Sequence, residues 1–600
     1  MIQFPYGIAD FRSIRRDDMV YVDRTAHIRD LERLGRILVF LRPRRFGKSL
    51  WLQTLASYYD LRRKDELEEL FGGLAIGRRP TPLAHRYFVL QWNFSNVDPS
   101  GGVEQIAENL RKHVSSRAKV FARQYAAALP EPIEVDGNPE EILSSLLSVV
   151  SETPYKLYLL IDEYDNFVNE VMVQDVDTYH ALFERGGPYK QLFKSVKNAT
   201  EGQGLERVFV TGVSPVALND LTSGFNNSTD VSLEPAMGSL CGFREKEIAE
   251  LLEVIAAERK LSPETLDLAL ETMRTWYNGY LFSEDMDDLV YNPTNVLYFL
   301  RHLYLHGKPP KKLHDENLRT DRGKLTFIAR TAAGAGVIEK LTESGDDTIG
   351  ISTLETSFSL DDVTTRLEKD ADAVASFLYY MGLLTQTDVP FRLRIPNLVV
   401  RKLFLDRLLE IFLPDAGDSS GARKIAMSVF RDGKLQPLLS FFEQKLLPIL
   451  SNRDRGAAAK EPGASGSGVN ETAVKTLFLS ILFADDYYRA LSEPELDKGY
   501  ADLCLLVRPE MRRYGFFDLL FEFKLVRRNK LERKGQALRG MDEAALRQLP
   551  VVAKAFTEAR DQAVRYRAAL VKREGELNLR TYAVVAVGLE RILGEEVEAA

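Results

Sequence analysis

Two sets of residues, one toward each end of the chain, have the types and spacing that phosphate chemistry asks for. In LRPRRFGKSLW, residues 41–51, Gly47, Lys48 and Ser49 follow the apolar run ILVFL and precede a helical pattern, SLWLQTLASYYD. An oxyanion site needs converging backbone N–H groups, a helix N-terminus behind them and a lysine that reaches the terminal phosphates; a strand, a loop and a helix in that order supply all three. Gly47 permits close backbone approach, Lys48 is placed for the β- and γ-phosphates, and Ser49 for Mg²⁺. Arg44, Arg45, Phe46 and Leu50 complete the expected nucleotide-binding loop. The usual pattern is GxxxxGK[ST], and Arg42 stands at its first glycine, so the sequence raises the question whether this loop still holds a nucleotide.

A second element strengthens the reading. LYLLIDEYDNF is an apolar run ending in Asp162 and Glu163. Asp162 would hold the metal directly or through water, and Glu163 is placed to polarise the attacking water. A solvated acidic strand end is the plain alternative, and the upstream GKS weighs against it. The later run RVFVTGVSP ends in Thr211 and Ser214, hydroxyls that suit γ-phosphate sensing or, equally, the capping of a strand-to-loop turn.

The other set is carboxyl-terminal. Glu471 opens a helical stretch, Asp502 lies in an expected strand, and Glu522 and Lys524 lie in the next. Alternation along a strand puts Glu522 and Lys524 on one face, with Phe521, Phe523 and Leu525 on the other, and the turn RPEMRRYG lets Asp502 and Glu522 meet across a hairpin. Clustered carboxylates that hold Mg²⁺, beside a cation that orients water and stabilises charge, are the equipment for phosphodiester hydrolysis. An Asp with a Glu and a Lys on a neighbouring strand also describes a surface ion pair, which is the competing reading. The run KLVRRNKLERKG would hold phosphate backbones beside the metals or else form a solvated helix face.

Both regions resemble known families. YGIADFRSI, YVDRTAHI, RPRRFGKS, LIDEYDNF, FVTGVSPVAL, CGFREKEI, WYNGYLF and YNPTNVLYFL, in that order, look like the predicted AAA-ATPase-like family of bacterial proteins, over about the first 300 residues. In that family a large residue at the first loop glycine is usual. The resemblance implies an ATPase-type domain with ATP and Mg²⁺ as cofactors, and Asp23 and Thr25 as contacts near the nucleotide. WYNGY and YNP read as packing residues more than as ligands. The carboxyl-terminal spacing is similar to that of PD-(D/E)XK nucleases, with Glu471 as the helix carboxylate and Gln562 and Tyr566 forming a QxxxY pattern; Ala501 replaces the proline of the family name.

The implied fold class is α/β: a P-loop NTPase parallel sheet of the ASCE/AAA-like kind, a helical middle, and a restriction-endonuclease-like α/β domain. Four short apolar runs up to about residue 215 read as buried parallel strands. Domains are expected at residues 1–240 (ATPase-like), 241–320 (helical extension), 321–450 (helical, compatible with a winged-helix module around Pro390), 451–470 (a Gly/Ser/Ala-rich flexible linker) and 471–600 (nuclease-like). At 600 residues, with a net charge of −8, the chain is too acidic to coat nucleic acid with its whole surface, so any such site is regional. Cys241 and Cys504 form neither a disulfide framework nor a zinc spacing, and no apolar run is long enough to span a membrane, which fits a cytoplasmic protein. The expected activity is ATP-driven regulation of a metal-dependent nuclease acting on nucleic acid, DNA ahead of RNA, with self-association open. The alternative is a nucleotide-gated binding switch on nucleic acid or protein, with an inactive nuclease fold.

Overall fold

The computed structural model describes the chain apart from residues 185, 222–226, 287, 314–327, 329–330, 344–346, 357, 360–364, 414, 449, 451–470, 485–486, 493–494, 497–498, 501, 532–534 and 599–600. The expected linker, 451–470, therefore lies outside the described residues.

The four apolar runs become β1 (Ile37–Leu41), β2 (Tyr87–Asn93), β3 (Lys156–Asp162) and β4 (Leu205–Gly212), joined by the short β5 (Thr229–Asp230). They form one parallel sheet in the order β2-β3-β4-β1-β5. The interiors of β1, β3 and β4 are buried without alternation, as a parallel sheet covered by helices on both faces requires. Strand β4 lies between β1, which leads into the phosphate loop, and β3, which ends at Asp162. Helix α1 (Lys48–Tyr59) starts directly behind the loop.

The middle of the chain is mainly helical. A helix (Ala371–Tyr380), two short strands, β7 (Thr385–Gln386) and β8 (Arg392–Arg394), and α2 (Leu398–Phe412) follow the expected order around Pro390. An earlier strand, β6 (Thr348–Gly350), completes a three-stranded antiparallel sheet that the sequence reading lacks. Its three residues are too few to show a period.

Helix α3 (Glu471–Leu482) opens the last domain. Its sheet runs β9 (Tyr488–Ser492), β10 (Leu503–Val507), β11 (Asp518–Val526), β12 (Leu579–Val587) and β13 (Arg591–Glu596) in spatial order. Only β11 and β12 are parallel, and α4 (Pro550–Glu574) makes the crossover between them. Phe478 of α3 packs on Phe521 and Phe523, and Leu520 on the opposite face clusters with Tyr566 and Leu570 of α4.

The string WYNGYLF, residues 276–282, joins the domains. At one end Tyr280 and Phe282 meet Phe46 of the phosphate loop edge-on, at 4.9 and 5.2 Å between ring centres. At the other, Trp276 stacks on Phe483, just past α3, at 5.8 Å and 11°. Arg508, buried after β10, donates from Nη2 to the Pro310 carbonyl at 2.7 Å and adds a second link to the same extension. Trp276 is 1% exposed. Trp276→Ala is therefore expected to cost about 3–5 kcal/mol in urea unfolding, as buried aromatic truncations do; a change within experimental error would show that the stack bears no load.

Candidate functional site

The phosphate loop is shaped by two residues in left-handed conformation, Arg45 at φ 65° and Gly47 at φ 98°. Glycine adopts this conformation without strain, and at Gly47 it turns the chain into α1. Lys48 is buried and its Nζ donates to the carbonyls of Arg42 and Pro43 at 2.9 and 3.1 Å. Phosphates entering the loop must take the ammonium from these carbonyls. Burial pushes the Lys48 pKa down, and Asp162 acts against that shift.

Ser49 Oγ donates to Asp162 Oδ2 at 2.7 Å, and Thr211 Oγ1 donates to Asp162 Oδ1 at 2.7 Å. A serine and an aspartate joined across the width of β4 are the pair expected at a metal. Thr211 is wholly buried, and its hydroxyl orients the Asp162 carboxylate. Ser214 Oγ accepts from the Val216 N–H at 3.2 Å, the turn-capping alternative. Glu163 sits at φ 49°, half-buried, its pKa raised by burial and then by Asp162.

Arg42 has a different task from the glycine it replaces. Its buried guanidinium donates to the carbonyls of Leu41 (2.8 Å), Ser232 (2.7 Å) and Met237 (3.1 Å). It also stacks over Phe40 and Phe282, at 4.5 and 4.2 Å from the ring centres. Phe46 is equally a core residue, so only its backbone can serve a ligand. Arg44 donates to Asn166 Oδ1 at 2.8 Å, whereas Arg45 Nη1 is buried without a partner among the described residues. Leu50 is half-buried against an apolar cleft of about 590 Å³ beside the loop. Asp23 and Thr25, expected near the nucleotide, both bond to backbone N–H groups of a neighbouring segment. Asp23 accepts from the Ala75 N–H at 2.7 Å, and Thr25 Oγ1 accepts from the Ile76 N–H at 3.1 Å.

At the far end, Asp502 and Glu522 face each other at the end of the β10–β11 ladder, as the spacing implies. The Asp502 N–H donates to Glu522 Oε1 at 3.2 Å, and Asp502 Oδ2 accepts from the Phe523 N–H at 2.8 Å. Asp502 is the residue before β10, not within it. Lys524 Nζ lies 3.7 Å from Glu471 Oε1, and Glu471 Oε2 accepts from the Leu525 N–H at 2.8 Å. Glu471 thus adjoins the pair but is tied to the backbone and to Lys524. Among the described residues no three Asp, Glu, His or Cys side chains converge to hold an ion. Gln562 of α4 lies between Ala559, which clusters with Val526, and Tyr566, which clusters with Leu520, so it rides over the Glu522–Lys524 stretch. Its Oε1 is buried without a partner among the described residues. In the basic run, Arg528 is paired with the buried Glu590 at 2.7 Å, while Arg527 and Lys530 are exposed.

Two stretches match known families by sequence: residues 5–222 a family described as "Predicted AAA-ATPase", and residues 469–596 the "PD-(D/E)XK nuclease superfamily". The chain joins an AAA-ATPase-like domain to a PD-(D/E)XK nuclease superfamily domain. A protein of Azotobacter chroococcum mcd 1, "Uncharacterized protein in vnfD 5'region", is 26% identical over 421 residues, covering 69% of this chain and 71% of that protein. Two Aeropyrum pernix structures are loosely similar. The ORC2 protein in its ADPNP–ADP complexes shares 13% identity at a TM-score of 0.35, covering 67% of this chain and 99% of that one. The ORC1 protein in complex with DNA shares 13% at 0.26, covering 66% and 95%.

Each domain holds a residue the sequence reading missed. In the AAA-ATPase-like domain, Asp165 is 1% exposed and accepts from the Val213 and Ser214 N–H groups, at 3.2 and 2.8 Å, fixing the loop after β4. In the nuclease-superfamily domain, Lys475 is buried with its Nζ 4.0 Å from Asp502 Oδ1. It stands four residues after Glu471, so helical spacing could have found it.

A divalent cation suits the Asp502–Glu522 pair. Burial, then the neighbouring Asp502 charge, push the Glu522 carboxyl up to about 9, and a bound dication would offset both effects. Cation capture near neutral pH must then displace a proton. Mn²⁺ affinity is expected to strengthen roughly tenfold per pH unit between about pH 6 and 8, with buffer-dependent heat in calorimetry. A flat profile would show that the pair takes no ion. Arg42→Gly, which restores the usual loop pattern, is expected to destabilise the chain by at least ~2 kcal/mol in urea unfolding without tightening ATP, because three buried carbonyls lose their donor. Tighter ATP binding with unchanged stability would contradict the assignment.

Proposed function

We propose that the protein binds and hydrolyses ATP in its amino-terminal domain, and that the nucleotide state regulates Mg²⁺-dependent phosphodiester cleavage of nucleic acid, DNA ahead of RNA, in its carboxyl-terminal domain. One observation carries the coupling: the aromatic string 276–282 touches the phosphate loop at one end and the end of α3 at the other, and α3 begins at Glu471. In this reading the domains are those expected at 1–240, 241–320, 321–450 and 471–600, with 451–470 between the last two.

At the first site, Lys48 draws charge from the terminal phosphates, Ser49 and Asp162 hold Mg²⁺, and Glu163 polarises the attacking water. Arg44 and Arg45 serve as phosphate contacts. The base would lie in the apolar cleft beside the loop, against Tyr21, Leu50 and Trp51. Among the described residues, Trp51 Nε1 is a buried donor without a partner and the cleft is lined by no carboxylate. A ring-nitrogen acceptor of the base would satisfy that donor.

At the second site, Mg²⁺ would polarise the scissile phosphate. Asp502 and Glu522 hold it, Glu471 joins them on leaving its backbone partner, Lys524 orients water, and Gln562 and Tyr566 line the α4 side. Cys241 and Cys504, both buried and with no disulfide among the described residues, suit a reducing cytoplasm. No helix among the described residues is long and apolar enough to cross a membrane.

The engagement of Glu471 with Leu525 and Lys524 favours a second reading, in which the nuclease fold binds nucleic acid without cutting it. Plasmid and RNA incubated with the full chain and Mg²⁺, with and without ATP, separate the two. Cleavage that responds to ATP, falls about 100-fold or more in Lys524→Ala and loses its ATP response in Trp276→Phe is the expected result. Retained, metal-independent binding with both substrates intact would establish the second reading.

A further inference from the structure

Two clefts, the outer one predominantly polar, adjoin the ATPase site, and neither has a task in the function above. The inner one, about 450 Å³, starts at Asp162 and is lined by Trp92, Asn93, Asn96, His113 and Arg117. The outer one, about 600 Å³, extends to the exposed Asp10 and Gln124. Gln53, Gln91 and Arg117 line both. At this neck Gln53 Nε2 donates to Gln91 Oε1 at 3.2 Å, and Arg117 Nε donates to the Gln91 carbonyl at 2.8 Å, which fixes the guanidinium between the two spaces.

The charge and donor pattern selects an anion. Four arginines line the outer cleft, Arg12, Arg62, Arg63 and Arg117, against two carboxylates, Asp10 and Asp60. Arg62 is held by Asp60 at 2.6 Å, and Arg63 and Arg12 by Glu66 at 2.7 and 3.3 Å. Arg117 has no carboxylate within ion-pair distance among the described residues, although burial penalises its charge and lowers its pKa. Trp92, which lines the inner cleft, is 1% exposed, and among the described residues its Nε1–H is buried without a partner. His113 Nε2 accepts from the Asn93 N–H at 3.3 Å, so the neutral ring carries its proton on Nδ1. Asn93 lies directly beside Asp162 in the β2–β3 register. A donor-rich space with an uncompensated guanidinium therefore opens next to the residue assigned to the metal.

We propose that this double cleft binds the orthophosphate released from ATP, with Arg117 as its principal ligand, and leads it out past the Gln53–Gln91 neck while the diphosphate stays in the loop. The inference rests on the ATPase reading and deepens it. It gives the two products separate ways out, so the ADP state can outlast phosphate departure.

The test titrates inorganic phosphate into the full-length chain loaded with ADP and Mg²⁺, for wild type, Arg117→Gln and Arg117→Lys, with ADP affinity measured in parallel. The expected result is phosphate binding that weakens at least tenfold in Arg117→Gln and less than threefold in Arg117→Lys, while ADP affinity holds in both. Loss of ADP and phosphate affinity together would mark Arg117 as structural and overturn the proposal. Equal phosphate affinity in Arg117→Gln and wild type would overturn it while leaving the ATPase reading standing. A wild-type chain that fails to bind ADP would instead refute that reading and, with it, this one. Competitive displacement of phosphate by a single-stranded oligonucleotide would assign the cleft to backbone phosphates and also overturn the proposal.

Discussion

The phosphate loop of this protein leans on aromatic rings from another part of the chain, and that contact constrains everything else. Phe46 sits edge-on to Tyr280 and Phe282, and Arg42, one strand end away, lays its guanidinium on Phe282. Gly382, at φ 76°, packs so closely on Pro43 that a Cβ there would lie 2.6 Å from the proline Cβ. Tyr280 donates its hydroxyl to the Gly382 carbonyl, so the same ring ties the loop to the middle region. Packed interiors tolerate few intermediate arrangements, so a loop that shifts around phosphates must move these rings or strain against them.

That constraint makes sense of the large residue at the first loop position. Glycine at that position leaves the loop backbone free to cradle phosphates. Here the position holds the loop to its support, and Arg42 supplies three hydrogen bonds and two ring contacts from within the core. The string continues through Tyr277, whose hydroxyl donates to the Leu313 carbonyl, to Trp276 and its stack on Phe483. At the other end of α3, Glu471 reaches β11 through the Leu525 N–H. The nucleotide loop and the acidic pair are thus connected by packed side chains and one helix.

Much of this was legible in the sequence because the signals were local. Four unbroken apolar runs marked the parallel strands, GKS after ILVFL marked the loop, and alternation along FEFKL put Glu522 and Lys524 on one face. The Asp502–Glu522 meeting followed from the turn between their strands. What the sequence hid depends on contacts between distant segments. Nothing near Arg42 says that Ser232, Met237 and Phe282 will surround it, and nothing in YVDRT says that Asp23 and Thr25 will be spent on the amides of residues 75 and 76. The same holds for Thr211, whose place at a strand end does not reveal that its hydroxyl orients the Asp162 carboxylate. The basic run looked uniform, yet Arg528 turns inward to a buried glutamate from the β12–β13 turn.

The central claim is that occupancy of the loop is felt at the acidic pair. Hydrogen exchange of residues 471–482, in the full chain with and without a non-hydrolysable ATP analogue and Mg²⁺, tests it most directly, because those amides belong to α3 and lie far in sequence from the loop. The account predicts a change in their protection on nucleotide binding that disappears in Trp276→Phe. Exchange in α3 indifferent to nucleotide, while the amides of residues 42–50 become protected, would contradict it.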